Sequence, residues 1–387
     1  MKRTLIVGVA SLGLALGLGL CGCARAPRVL PMPAAPEVFA GNGMEVVWET
    51  PLTVPKGQSL KQLWVGGGLV MALDSENRLY AVDARTGVRR WSVRTAPVHE
   101  TVRRPAVVGD RVWVVSTTLL VGLKAADGRE EVRTRLEFAA SGAPAAVASH
   151  VFIPDARGYL QALAVMPDTV AWRRWMRGPV RAGPALDDAR VFFASESGEI
   201  LASSQSRQQA AWTYPAEGAV VADLRVAKGD LVLVASLDYS VYAFRGSSGE
   251  LRWRHQAGEP VRKPPYTQGD QAFVFTKGRG LAALDISSGQ VQWRLAQGED
   301  FAAADEQTVY VVSGGGDLLA VSRADGAVRF GVPLRRGTLA ADNETESGIV
   351  YLATPEGQVM ATAKRKAKEL YALGPARGRR AAKRQEA

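Results

Sequence analysis

Along this chain, short runs of β-branched and aromatic residues alternate with turns rich in Gly, Asp and Ser, and one arrangement keeps returning. Its clearest copies are Leu79-Tyr-Ala-Val-Asp83 with Gly87 and Trp91, Val241-Tyr-Ala-Phe with Gly249 and Trp253, and Leu281-Ala-Ala-Leu-Asp285 with Gly289 and Trp293. In each, the aromatic stands twelve residues after the first apolar position. The template gives eight slots, at Trp91, Val132, Trp172, Trp212, Trp253, Trp293, Phe330 and Tyr371, separated by 41, 40, 40, 41, 40, 37 and 41 residues. The Gly slot holds Gly87, Gly128, Gly249, Gly289 and Gly326, with Asp168, Gln208 and Ala367 in the other copies. A hairpin turn that needs one positive-φ residue accounts for the glycines.

Ahead of the later copies lies a second apolar run, among them Val112–Val115, Val151–Ile153, Val191–Phe193, Val309–Val312 and Ile349–Leu352. These have strand length and strand composition. A repeat of about 40 residues built from three or four strands is a propeller blade, whose two faces are buried only between neighbours. Helical repeats fail, because residues 44–360 sustain no apolar period of 3.6. The expected fold is all-β: an eight-bladed β-propeller of four-stranded antiparallel blades. Trp48, 43 residues before Trp91, fills one more slot with no blade in front of it. It marks a closing strand that leaves no open sheet edge.

The amino end departs from this pattern. Lys2 and Arg3 precede an uncharged, mostly apolar run from Leu5 to Leu20, followed by Cys21-Gly22-Cys23. That order is a secretory signal, shorter than a membrane-spanning helix. Leu, a small residue, Gly and Cys resemble the lipobox of bacterial lipoproteins, which implies removal of residues 1–22 and acylation of Cys23. Ala24 at the next position implies sorting to the outer membrane. Pro27, Pro31, Pro33 and Pro36 then punctuate residues 23–43, the lipidated Cys and an expected flexible tether. The propeller is expected over 44–363 and a basic tail over 364–387.

Composition adds mainly exclusions. With Cys21 removed and Cys23 acylated, the 387-residue chain has no cysteine left for a disulfide, a zinc site or an iron–sulfur cluster. The net charge of +10 suggests nucleic acid until it is located. Lys2 and Arg3 leave with the signal, and the end from Lys364 holds nine basic residues against Glu369 and Glu386. The rest is close to neutral, so nucleic acid is not an expected partner.

Candidate catalytic features do not converge. His99, His150 and His255 stand at unrelated repeat positions and are expected in surface loops, whereas a metal site or a catalytic triad needs partners. Gly66-Gly67-Gly68, Gly314-Gly315-Gly316 and Gly278-x-Gly280 lie between strands, with no helix to receive a phosphate. No catalytic residue, metal or cofactor is expected.

The order apolar-aromatic-Ala-apolar-Asp, two residues, Thr/Ser-Gly, three residues, Trp resembles the docking repeat of pyrroloquinoline-quinone-type propellers. That resemblance gives Trp48, Trp91, Trp172, Trp212, Trp253, Trp293 and Phe330 the task of wedging against the next blade. Quinoprotein dehydrogenases share the repeat but carry a vicinal cysteine pair and calcium-binding carboxylates that this chain lacks. With the lipobox, the tether and the closing strand, the chain resembles the BamB family of outer-membrane assembly lipoproteins. The resemblance implies a non-enzymatic scaffold on the periplasmic side of the outer membrane, a monomer within a complex. Its partners would be the POTRA region of a BamA-type barrel protein, other subunits of the machinery, and the membrane through its lipid. It also implies partner contacts in the loops after Trp172 and Trp212, at Val180, Arg181 and Asp223. Val102-Arg103 and Val261-Arg262 occupy similar places in other blades. A propeller lipoprotein that scaffolds another envelope complex or binds cell-wall polymer is the alternative, and a quinoprotein dehydrogenase a more distant one.

Overall fold

A computed structural model describes residues 30–165, 169–345 and 347–365. The signal segment, Cys23, Asp168, Ala367, Tyr371 and the tail beyond 365 lie outside them. Eight four-stranded antiparallel sheets follow one another, and all but the last use four consecutive strands. Blade one spans residues 60–94, blade two 106–135, blade three 145–175, blade four 185–215, blade five 225–256, blade six 266–295 and blade seven 298–333. Blade eight is made of Leu339–Ala340, Val350–Ala353 and Gln358–Lys364, with Met44–Pro51 as its outer strand. The closing strand pairs from Met44 with Lys364 to Pro51 with Gln358, with one register shift between Val46 and Trp48. Lys364 therefore ends the sheet and does not begin the tail.

Side-chain volume along one row of each blade explains the repeat. The aromatic slot on the outer strand faces a small residue on the third strand: Ala81 opposite Trp91, Ala162 opposite Trp172, Ala202 opposite Trp212, Ala243 opposite Trp253. Ala283 faces Trp293, Ala320 faces Phe330 and Ala361 faces Trp48. On its other side the small residue faces a bulky one on the second strand, such as Phe152, Phe192, Phe273 or Tyr351. The outer ring can then lean over the small residue onto the bulky one; Phe152 and Trp172 stand 5.8 Å apart, Phe273 and Trp293 5.9 Å. A register shift beside every one of these slots bulges the outer strand, and such a bulge re-aims a side chain.

Each indole reaches the following blade. Trp91 Nε1 donates to the carbonyl of Ala125, Trp172 to Gln205, Trp212 to Gly246, Trp253 to Ile286 and Trp293 to Arg323, over 2.8–3.1 Å. Trp48 Nε1 does the same to Ala84, at 2.9 Å, and so joins blade eight to blade one. The ring lies over the turn glycine. At Gly249, whose φ is +74°, a β-carbon would stand 2.6 Å from the Trp212 ring, so the glycine is required by close approach as well as by backbone conformation. Gln208 holds the same place in blade four without positive φ.

Blade two breaks the row. Its outer slot is Val132, its third-strand residue Gly122 and its second-strand residue Trp113. The large ring has moved from the outside of the sheet to its middle, and Trp113 is 1% exposed among Leu136, Phe138, Val151, Ile153 and Leu163.

The segment from 30 to 43 differs from the expected tether. Pro36–Gly41 form one short helix, and Phe39 is fully buried with Met44 against Ala302, Tyr310, Leu318, Val350 and Met360 of blades seven and eight. Met32, Ala34 and Val38 pack on the same cluster, and Arg335 N donates to the Pro33 carbonyl at 2.6 Å. Prolines punctuate this stretch, yet its apolar side chains find a surface to cover. Among the described residues no helix is long and apolar enough to cross a membrane.

Candidate partner-binding face

Because every blade holds an even number of antiparallel strands, each connection from an outer strand to the next innermost strand emerges at the same end of the axis. These connections form one mouth. Four of them carry a buried valine as an anchor: Val102, Val180, Val220 and Val261 are 0–3% exposed. Val180 therefore cannot offer its side chain to a partner. It packs beside Phe152, Met176 and Phe193, and its carbonyl accepts a hydrogen bond from the Ser141 hydroxyl.

After the anchor the chain reaches solvent at Arg181 and Arg262, while Arg103 is half-buried. Arg181 is exposed and pairs with Glu196 at 2.7 Å, and Arg103 and Arg262 hold the corresponding place in blades two and six. Burial and the neighbouring Arg181 guanidinium push Arg103 below its ordinary value, against the pull of Asp223. Its Nε is buried with no hydrogen-bond partner. Asp223 is half-buried and binds sideways: its Oδ1 accepts the Gly183 N–H at 2.7 Å, joining the loops of blades four and five. Arg181 and Asp223 thus sit in adjacent loops of one mouth, while Val180 lies beneath them.

Below the loops the axis is crossed by charge. A cavity of about 260 Å³ is lined by Trp64, Arg104, Asp223, Arg225, Tyr266, Asp300 and Asp342. Arg104 of blade two forms an ion pair with Asp342 of blade eight. Arg225 of blade five reaches Glu344 at 3.0 Å and Asp342 at 3.9 Å. Burial opposes the charge on Arg225, but Glu344, Asp223 and Asp342 outweigh it and raise its affinity for the proton. Lys263 and the Tyr266 hydroxyl both bind Asp300, and burial and Asp300 raise the Tyr266 phenol far above its ordinary value. The repeat does not announce these residues, since Arg104 and Asp342 are 238 positions apart and occupy slots that differ from blade to blade.

The remaining candidates are structural. His99 is exposed in a turn, but His150 and His255 lie within strands and not in loops. The three glycine runs are hairpin turns between paired strands. Among the described residues no group of His, Cys, Asp and Glu side chains could hold a metal ion.

A model of the family described as "Outer membrane protein assembly factor BamB" matches residues 35–115, 156–300 and 295–384. The chain is 23% identical over 349 residues to the BamB outer membrane protein assembly factor of Yersinia pestis, covering 85% of this chain and 80% of that protein. It is 27% identical over 173 residues to the factor of the same name from Alkalilimnicola ehrlichii, covering 41% and 43%. Among solved structures, BamB from Moraxella catarrhalis superposes with a TM-score of 0.67 at 14% identity, covering 83% of this chain and 99% of that one. A quinohemoprotein alcohol dehydrogenase from Pseudomonas putida does so at 0.63 and 14%, covering 83% and 76%, a likeness of fold alone.

Proposed function

The chain belongs to the BamB family of outer membrane protein assembly factors, and from that premise we propose that it is a non-enzymatic scaffold of the outer-membrane β-barrel assembly machinery. In this reading Cys23 carries the lipid that holds it to the outer membrane, facing the periplasm. The mouth of the propeller receives the POTRA region of a BamA-type barrel protein, with Arg181 and Asp223 at the contact and Val180 holding their loop from below. The observation that carries the proposal is the juxtaposition of Arg181, exposed and backed by Glu196, with Asp223, braced on Gly183. These are charged side chains on adjacent, cross-linked loops, a rigid presentation that lowers the entropy lost on association.

The test is affinity capture of the full-length, lipidated protein from its own host in mild detergent, with partners identified by mass spectrometry. Recovery of a POTRA-containing barrel protein, weakened by Arg181→Glu, is the expected result. Recovery that the charge reversal leaves unchanged moves the contact elsewhere, and absence of such a protein ends the assembly reading.

A further inference from the structure

The segment ahead of the closing strand limits how far the propeller can stand from Cys23. The Pro33 carbonyl is held by Arg335 N, in the connection from blade seven to blade eight, which lies at the mouth. Met44 begins the closing strand at the opposite end, beside Lys364. Between the two, Phe39 is buried against blades seven and eight, so residues 33–43 follow that seam from the mouth to the far end. Were the chain free as far as Met44, its 21 residues from Cys23 would reach about 70 Å. The 10 residues from Cys23 to Pro33 reach at most about 35 Å in any conformation. The mouth edge at blades seven, eight and one is therefore the part of the propeller tied closest to Cys23.

That edge is basic. The connection into blade eight is Leu334-Arg335-Arg336-Gly337-Thr338, and the connection into blade one, residues 52–59, carries Lys56, with Lys61 just beyond it. Neither connection contains a carboxylate. All four cations are exposed. Arg335 pairs with Glu356 of the neighbouring hairpin at 3.4 Å, whereas among the described residues Lys56, Lys61 and Arg336 have no carboxylate within ion-pairing distance. We propose that this edge rests on an anionic phospholipid surface, with Lys56, Lys61, Arg335 and Arg336 among the headgroups. The proposal rests on the acylation of Cys23. Attraction between basic side chains and anionic lipid fades within a Debye length of the surface, so these cations act only because the docked segment holds their edge near the bilayer. Arg181 and Asp223 stand in the connections after blades three and four, four blades around the ring from the two basic connections. A propeller seated on this edge keeps its partner-binding loops on the side away from the lipid.

The lipidated protein from its own host is reconstituted with phosphatidylcholine vesicles that contain either no phosphatidylglycerol or about one-third of it, together with a trace of acceptor-labelled lipid. A donor dye is placed on one introduced cysteine at an exposed position: Pro55→Cys at this edge, Arg177→Cys at the mouth after blade three, or Arg85→Cys at the far end of blade one. In the anionic vesicles, energy transfer from Pro55→Cys is expected to exceed that from the other two sites by about twofold or more. Lys56→Glu with Arg336→Glu, both at exposed positions, is expected to remove the excess, as is phosphatidylcholine alone. Equal transfer from the three sites in anionic vesicles, or an excess indifferent to the charge reversals and to the lipid charge, overturns the proposal. Flotation separates it from the reading beneath it. Protein that does not float with the vesicles refutes the acylation of Cys23 and this proposal together; protein that floats without the excess refutes the proposal alone.

Discussion

The Trp113 ring lies so close over Gly122 that a β-carbon there would stand 2.7 Å from it. In the other blades an alanine stands at this place between a smaller second-strand residue and an outer aromatic. Blade two concentrates its volume in one indole, and the glycine and Val132 on either side are the compensation.

Gly122→Ala should therefore destabilise the protein by about 1–3 kcal/mol, the usual cost of overpacking a close-packed interior. Trp113→Phe in the same chain should recover part of the loss. Urea denaturation of the two single variants and the double variant measures the coupling; simple additivity would mean that the two side chains do not compete for space.

The docking indoles separate hydrogen bonding from packing. Trp212→Phe removes the donor to the Gly246 carbonyl and should cost about 1 kcal/mol. Trp212→Ala also empties the space between blades four and five and should cost about 3–5 kcal/mol. Equal losses for the two variants, read from denaturation midpoints, would place the whole contribution in the N–H.

Arg225→Met removes a guanidinium that is only 15% exposed from beside Glu344 and Asp342, while Asp342 keeps its pair with Arg104. A loss of about 1–3 kcal/mol is expected, because the carboxylates lose part of the charge compensation that their burial requires. Adding Glu344→Gln should restore part of it. Calorimetric melting of the single and double variants provides the comparison, and a harmless Arg225→Met would show that the axial charges do not depend on one another.

His255 supplies a pH dependence. Burial, reinforced by Arg294, lowers its pKa from 6.5, against a hydrogen bond from the ring to the Gly289 backbone that raises it. Below pH 6.5 the unfolded chain therefore binds the proton more readily than the folded one, and stability falls as the solution is acidified through that value. His255→Gln should flatten the melting temperature between about pH 6.5 and 5. An unchanged slope assigns the acid sensitivity to other groups.

Phe39→Ala tests whether the segment before the first strand belongs to the folded body. A loss of about 3 kcal/mol is expected for a fully buried aromatic, together with earlier proteolytic cleavage between residues 30 and 43. A change within experimental error would return that segment to the role of a tether.

The propeller is legible in the sequence because its periodicity is a packing requirement: an aromatic at one strand position needs a small residue beside it and a tight turn in the next blade. That requirement repeats eight times, so single lapses such as Gln208 or Val132 do not hide it. Val132 by itself gives no sign that its blade has moved the ring to Trp113, since the exchange shows only once the two strands are paired. The mouth is less legible. Val180 and Arg181 are neighbours in a connecting loop, and only the structure tells which supports the loop and which meets solvent. The axial pairs are least legible, because they join residues that the repeat places at different positions. The buried Phe39 lies among prolines, where neither periodicity nor composition signals it.

Closure by Met44–Pro51 also sets the order of events as the chain is made. This strand is among the first parts of the propeller to be synthesised, yet its partner, Gln358–Lys364, is among the last. Until then the ring has two unpaired edges, and neither the first blade nor the last has its Trp48 seam. Such a long sequence separation predicts slow, late consolidation and makes shortening the chain at either end costly in the same way. A truncation that removes residue 360 should behave like one that removes residue 48, because the two ends of the propeller are one structural element.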